Sequence, residues 1–338
     1  MDLSIPDGVT RFLATAGWTG VTVDPLPGDA SFRRYFRVRS GAGATAMLMH
    51  APPPQEDPEP FLRAAHWLDA NGLRAPAILA EDAASGFVLL EDFGDVRVRE
   101  YLDQWPDDEE DVYRAAVDTL LRLHALPPGP FTAYSLAEYQ RETRLFIDWF
   151  CPAQGLYVDG RGWAAAWEEV LSPLLSRQRP GVTVLRDYHA ENLMLLGGLD
   201  RQGLLDFQDA LVGHPAYDLV SLLQDARRDV SPDLEIAMFD HYCTHAAEAL
   251  GNAFDPADFL ADYAGLGAQR NAKIVGIFVR LWKRDGKPRY LGLIPRVWAL
   301  LERDLTHPAL APVAEWFDRN IPAELRDPAG VLGGSFAG

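Results

Sequence analysis

The stretch Arg186-Asp187-Tyr188-His189-Ala190-Glu191-Asn192 decides how the rest of this chain is read. Asp187 stands five residues before Asn192, and Asp206, in Gly203-Leu204-Leu205-Asp206-Phe207, follows fourteen residues after that Asn. An Asp, an Asn and a second Asp in this order supply a carboxylate for an acceptor hydroxyl and two oxygen ligands for Mg²⁺, the set that phosphoryl transfer uses. That reaction asks little covalent chemistry of a protein and rests on aligning the attacking oxygen and neutralising phosphate charge. Asp187 is expected to orient and deprotonate the hydroxyl. Asn192 and Asp206 are expected to hold Mg²⁺, which keeps several waters and takes few protein ligands. A lone Asp and Asn in a loop more often bond their own backbone in a turn. The surroundings decide against that here: Val182-Thr183-Val184-Leu185, Leu193-Met194-Leu195-Leu196 and Leu204-Leu205, with a Gly197-Gly198 turn, read as short buried strands. All three polar residues then fall at strand ends.

Bulk properties agree with an enzyme of two lobes, because 338 residues is large for one core and 48% hydrophobic residues suffice to fill two. No apolar run approaches the ~20 residues of a membrane span, and Met1-Asp2-Leu3-Ser4-Ile5-Pro6-Asp7 lacks the basic start and apolar run of a signal peptide. A cytoplasmic location is expected, with no membrane partner. Cys151 and Cys243 lie in unrelated contexts, so neither a disulfide framework nor a zinc site is indicated. A net charge of −18, without a basic-aromatic module, disfavours nucleic acid as a partner.

Strands are expected first, over Phe32 to Val38 and Thr45 to Met49, around Gly41-Ala42-Gly43. Helices follow. Apolar residues recur at three- and four-residue spacing over Asp107 to Leu126, Ser135 to Phe150, Gly162 to Leu171, Tyr217 to Ala226, Asp233 to Leu250 and Asp258 to Asp285. The change of character near Phe93-Gly94 sets the lobe boundary: residues 1–93 as a nucleotide-binding lobe, 94–338 as a catalytic and substrate-binding lobe. Gly333-Gly334-Ser335 and the residues after it read as a loose tail.

Three further stretches carry a resemblance. They are Gly28-Asp29-Ala30-Ser31-Phe32-Arg33-Arg34-Tyr35-Phe36-Arg37-Val38, Leu89-Leu90-Glu91-Asp92-Phe93-Gly94-Asp95, and Gly276-Ile277-Phe278-Val279-Arg280-Leu281 with Arg284 to Leu291. With the Asp187 and Asp206 segments, they make the chain resemble the aminoglycoside phosphotransferase-like branch of the protein-kinase-like superfamily over nearly its whole length. Within that branch it is most similar to the bacterial anomeric kinases of N-acetylmuramate and N-acetylglucosamine that serve cell-wall recycling. The resemblance implies an α+β, bilobal, protein-kinase-like fold with a small β-rich N-lobe and a larger, mostly helical C-lobe. It implies ATP and Mg²⁺, adenine held by the backbones of Glu91 and Phe93, Asp218 bracing the catalytic loop, and His189 organising that loop. Gly28 and Ser31 would lie over the phosphates, where a Gly allows close backbone approach and a Ser donates. The loop has neither a G-x-G-x-x-G nor a Walker pattern.

One departure is plain. The Lys that normally points from the third strand to the phosphates is missing from Ala46-Met47-Leu48-Met49-His50-Ala51, and the following helix, Phe61 to Leu68, lacks its Glu partner. Strand period places Arg34 on one face with Phe36 and Val38, so Arg34 is the expected substitute.

Net charge alone favours a cationic acceptor, from 49 acids against 31 bases. Local charge points the other way. From Arg270 to Arg296 eight bases meet the single acid Asp285, and Arg270, Lys273, Arg280, Arg284 and Lys287 share a helical face. Within a Debye length of about 8–10 Å such groups outweigh the distant average. Arg280, inside the apolar run Ile277 to Trp282, is the expected clamp for the carboxylate of N-acetylmuramate. The alternatives are another small-molecule kinase, acting on an aminoglycoside, a choline-like alcohol or another sugar, and a nucleotide-binding pseudokinase.

Overall fold

A computed structural model describes residues 4–27 and 32–326. In chain order the first elements are α1 (Val9–Thr15), β1 (Thr22–Pro25), β2 (Arg34–Arg39), β3 (Thr45–His50), α2 (Glu59–Ala70), β4 (Ile78–Asp82), β5 (Phe87–Glu91), α3 (Val98–Gln104) and α4 (Glu109–His124). There follow α5 (Leu136–Leu145), a π-turn (Phe146–Phe150), α6 (Cys151–Ala153), α7 (Gly160–Arg177), β6 (Val182–Val184), β7 (Leu193–Leu195), β8 (Gln202–Leu204) and β9 (Leu211–Gly213). The remainder is helical: α8 (Ala216–Leu223), α9 (Pro232–Leu250), α10 (Pro256–Asp285), α11 (Ile294–Asp304), α12 (Ala311–Asn320) and α13 (Ala323–Arg326). Gly28, Ser31 and the tail from Gly333 lie outside the described residues.

The described residues up to Ala115, joined by Glu191–Ala210, form one compact unit; Ala116–Ala190 and the described residues from Leu211 onward form another. Phe93-Gly94, the expected lobe boundary, falls inside the first unit. The reason is long-range pairing: the Leu195 N–H donates to the Val96 C=O at 2.8 Å, and Arg97 bridges Met194.

The first unit is built on an antiparallel sheet of order β1-β2-β3-β5-β4. Alternation sorts its side chains. Phe36, Val38, Ala46, Leu48, Phe87 and Leu89 face Val9, Phe12 and Leu13 of α1 in one core cluster. Tyr35 and Arg37 lie on the other face, in register with Met49 and Met47, which in turn oppose Val88 and Leu90. The β7–β8 hairpin pairs Leu193 with Leu204 and Leu195 with Gln202. It seats closely on the segment after β5: a Cβ on Gly203 would stand 2.5 Å from the Phe93 ring, so only glycine fits. On the other side of the hairpin's end, Phe207 stacks on Phe61 of α2 with centroids 5.1 Å apart.

The second unit has α10 as its axis. Asp255 caps its start, accepting from the Ala257 and Asp258 N–H groups, and Gly286 in the left-handed region ends it. Apolar residues on several sides of this helix are buried, so it runs through a core and not along a surface. Gly276 lets α5 approach so closely that a Cβ there would meet the Leu145 carbonyl carbon at 2.3 Å. Around it, Phe146, Phe150, Trp163, Trp298, Trp316 and Phe317 pack ring on ring, with Trp163 and Trp316 4.5 Å apart. Burying each such ring stabilises by about 1.5–3 kcal/mol. Cys151 and Cys243 are free and buried, and among the described residues no helix is long and apolar enough to cross a membrane.

Candidate active site

Two of the three residues singled out by spacing are brought together in the first unit. The tight hairpin returns Leu205 beside Asn192, whose C=O accepts the Leu205 N–H at 2.9 Å. Asn192 Nδ2 then lies 3.5 Å from Asp206 Oδ2, and Gln208 Nε2 donates to Asp206 Oδ1 at 2.8 Å. Asp206 has φ 60°, a conformation that costs a non-glycine residue on the order of 1–3 kcal/mol and persists where neighbours enforce it. An amide and a carboxylate converging in this way fit Mg²⁺, with the remainder of its shell left to phosphate oxygens and water. Glu191 is fixed beside them by its ion pair with Arg99.

The segment Glu91–Asp95 in the same unit is gripped from both sides. Arg74 donates to Glu91 Oε2 at 2.7 Å and to its other oxygen as well, and its guanidinium lies 4.8 Å over the Phe93 ring. From β2, Arg37 reaches Asp95 Oδ1 at 2.8 Å, Asp92 Oδ2 at 2.8 Å and the Gly94 C=O at 3.2 Å. The Glu91 N–H is already taken by the Ala77 C=O at 2.8 Å.

Arg34 departs from its expected place. Its Nη1 donates to the Ser4 C=O at 3.1 Å, its Nη2 lies 3.5 Å from His50 Nδ1, and its guanidinium sits 5.6 Å over Phe36. The period of two was read correctly, but α1 covers that face of the sheet. The opposite face carries Tyr35, which lies within the electrostatic reach of Asp206.

Asp187 belongs to the second unit, at the end of a segment held in place residue by residue. Asp218 accepts from the Leu185 N–H at 2.6 Å and the Arg186 N–H at 2.8 Å, and Ser221 Oγ donates to the Arg186 C=O at 3.2 Å. Arg186 takes φ 73° just before the Asp, a second strained non-glycine residue beside candidate chemistry. Its guanidinium pairs with Glu142. That glutamate, 1% exposed, also accepts from Lys273 Nζ at 2.9 Å, from Gln269 Nε2 at 3.3 Å and from the Tyr134 hydroxyl. Lys273 in turn lies 3.3 Å from the Tyr217 hydroxyl. Burial pushes the Asp187 pKa up, but the cations Lys273, Arg270 and Arg186 outweigh burial and hold it below the usual carboxylate value. At neutral pH Asp187 is a carboxylate, ready to take a proton.

His189 is buried, and burial lowers its pKa. Because Arg227 Nη1, 3.2 Å from His189 Nε2, has only protons to donate, that nitrogen accepts and the ring is neutral. This geometry suits an organiser better than a second base. Asp218 is fully buried, and burial raises its pKa to about 7 against the pull of the two backbone donors.

The basic face expected on α10 divides. Arg270 is 4% exposed, with Nη1 lacking a hydrogen-bond partner among the described residues, and Lys273 is bound to Glu142. Arg280 is half-buried, its Nε is likewise unpartnered, and its charged neighbours are Arg284, Asp285 and Arg141. Asp285 is engaged by Arg284 at 2.7 Å.

Glu142, Arg37 and Arg74 were not singled out from sequence. Glu142 had a signal: it lies three residues after Tyr139 and four before Phe146, a charge on the face of a helix that should be apolar. The two arginines had none, since their partners are distant in the chain.

A model of the phosphotransferase enzyme family matches residues 22–259. The N-acetylmuramate/N-acetylglucosamine kinase of Caulobacter vibrioides is 37% identical, over 93% of this chain and 96% of that protein. The protein of the same name from Pseudomonas aeruginosa is 39% identical over 86% of each. Among solved structures, a choline kinase from Streptococcus pneumoniae superposes with a TM-score of 0.61 at 12% identity, covering 87% of this chain and 98% of that one. Aminoglycoside phosphotransferase APH(2'')-Ib with ADP bound gives 0.55 at 14%, over 88% and 97%. At such identities these two show the shared protein-kinase-like fold, a small antiparallel sheet lobe and a helical one. The family match and the long, near-complete likeness to named kinases are what identify this chain as a member of the phosphotransferase enzyme family.

Proposed function

We propose that the chain transfers the γ-phosphoryl group of MgATP to the anomeric hydroxyl of N-acetylmuramate or N-acetylglucosamine, giving the sugar 1-phosphate. The observation that carries this reading is the name shared by relatives 35–39% identical over 81–93% of the chain. Asp187 accepts the hydroxyl proton as the sugar oxygen attacks the γ-phosphorus and the bond to the β–γ bridging oxygen breaks, releasing ADP. Asn192 and Asp206 hold Mg²⁺, which neutralises phosphate charge. The backbones of Glu91 and Phe93 meet the adenine, and Arg280 pairs with the carboxylate that N-acetylmuramate carries and N-acetylglucosamine lacks. A cytoplasmic enzyme of peptidoglycan recycling fits this chemistry.

³¹P NMR with MgATP and each amino sugar tests the reading, with Asp187→Asn as control. A sugar 1-phosphate resonance that vanishes in the control is expected. Product from an aminoglycoside and none from either amino sugar would overturn the acceptor, and silence with all of them would overturn the reading.

A further inference from the structure

The pair missing from the third strand and its helix has a counterpart elsewhere in the first unit. Arg33 lies two residues after Ser31 in sequence and immediately ahead of β2. Its Nε is 3.4 Å from Oε1 of Glu56, and both side chains are mostly shielded, at 13% and 24% exposure. Glu56 closes a turn, its N–H donating to the Pro52 C=O at 3.0 Å, three residues before α2 begins. A cation at a strand and a carboxylate at the helix that follows are thus held together, as in the Lys–Glu pair of the superfamily, but each is drawn from a different position.

The side of the sheet is decided by Tyr35. Its phenol is within electrostatic reach of Arg33, Glu56 and the candidate metal ligand Asp206 together, while burial, the largest influence, pushes its pKa up to about 12. Tyr35 shares its face with Arg37, which grips Asp92 and Asp95, and α2 meets the end of the Asp206 hairpin through Phe61 and Phe207. Arg33, Glu56, the hairpin and the Glu91–Asp95 segment therefore gather on the side of the sheet that Arg34 does not face.

We propose that Arg33, braced by Glu56, is the phosphate-binding cation of this chain and takes the place of the missing strand lysine. This rests on the reading of the chain as an ATP-dependent kinase. A guanidinium suits the task, because its planar fork serves a carboxylate on one edge and phosphate oxygens on the other. Glu56 is a positioning residue, fixing the fork before nucleotide arrives.

The test is the affinity of adenosine, ADP and ATP, the nucleotides with Mg²⁺, measured by titration calorimetry on the full chain. Wild type is expected to bind the nucleotides more tightly than adenosine. Arg33→Ala should leave adenosine within about twofold and weaken ADP and ATP on the order of ten- to hundredfold. Arg33→Lys should recover part of that loss through charge alone, and Glu56→Gln should fall between wild type and Arg33→Ala. Equal weakening of adenosine and ATP in Arg33→Ala, or unchanged ATP affinity, overturns the proposal. Should Arg33→Ala not fold, Arg33→Lys and Glu56→Gln decide the matter by the same ratio of adenosine to ATP affinity. A wild type that gains nothing from the phosphates overturns the kinase reading instead.

Discussion

Two ion-paired clusters, one in each unit, carry charge differently. In the first, along Glu91–Asp95, Arg37 joins an enclosed carboxylate, Asp92 at 4% side-chain exposure, to an open one, Asp95 at 80%, and Arg74 meets Glu91 in the open. In the second, Glu142 and its partners Arg186 and Lys273 are enclosed, with side-chain exposures of 2%, 15% and 14%. Open pairs contribute little, about 0–1 kcal/mol, and chiefly set geometry. Enclosed charges act through a weakly screening interior, so they fix the potential at Asp187 and are costly to break. On the proposed function, the first cluster would shape backbone for a ligand and the second would prepare a base.

Five changes test how far that division holds. Asp187→Asn should lower kcat by about 10²–10⁴-fold while the Kd for MgATP stays within about twofold, because a base is lost and no phosphate contact. A large loss of nucleotide affinity would show that the division is drawn in the wrong place. Glu142→Ala should destabilise by about 3–5 kcal/mol in urea unfolding, since it strands two buried cations, whereas Asp95→Ala should cost about 0–1 kcal/mol. Comparable losses would erase the contrast. Removing the charge in Lys273→Met should raise the Asp187 pKa, so the acid limb of kcat, followed over about pH 4–8, should move to higher pH. A limb that stays in place or moves down would refute the role of Lys273. Arg34→Ala should alter the KM for ATP by less than about twofold, and a larger effect would return Arg34 to the nucleotide.

Much of this was legible in the chain, for identifiable reasons. The helix expected from Asp258 to Asp285 appears as Pro256–Asp285, because a long apolar period and a closing Gly286 are local signals. Asn192 and Asp206 converge because the hairpin between them is written in Leu193 to Leu205. What stayed hidden was long-range. Strand period cannot tell which face of a sheet a helix will cover, so Arg34 was assigned to the wrong one. Helical period likewise put Arg270 and Arg280 on one face without revealing that the first is sealed in the core.

The return of Glu191–Ala210 to the first unit bears on how the protein is made. During synthesis the sheet is complete long before its hairpin exists. Until then the carbonyls of Arg74, Val96 and Val112 lack the donors that Leu204, Leu195 and Gln202 will bring, and Phe93 has no glycine to rest on. Closing so large a loop is slow relative to local pairing. A ribosome-released fragment ending at Ala115 should therefore be a poor folder, and nucleotide binding should arise only after the chain has passed Ala210.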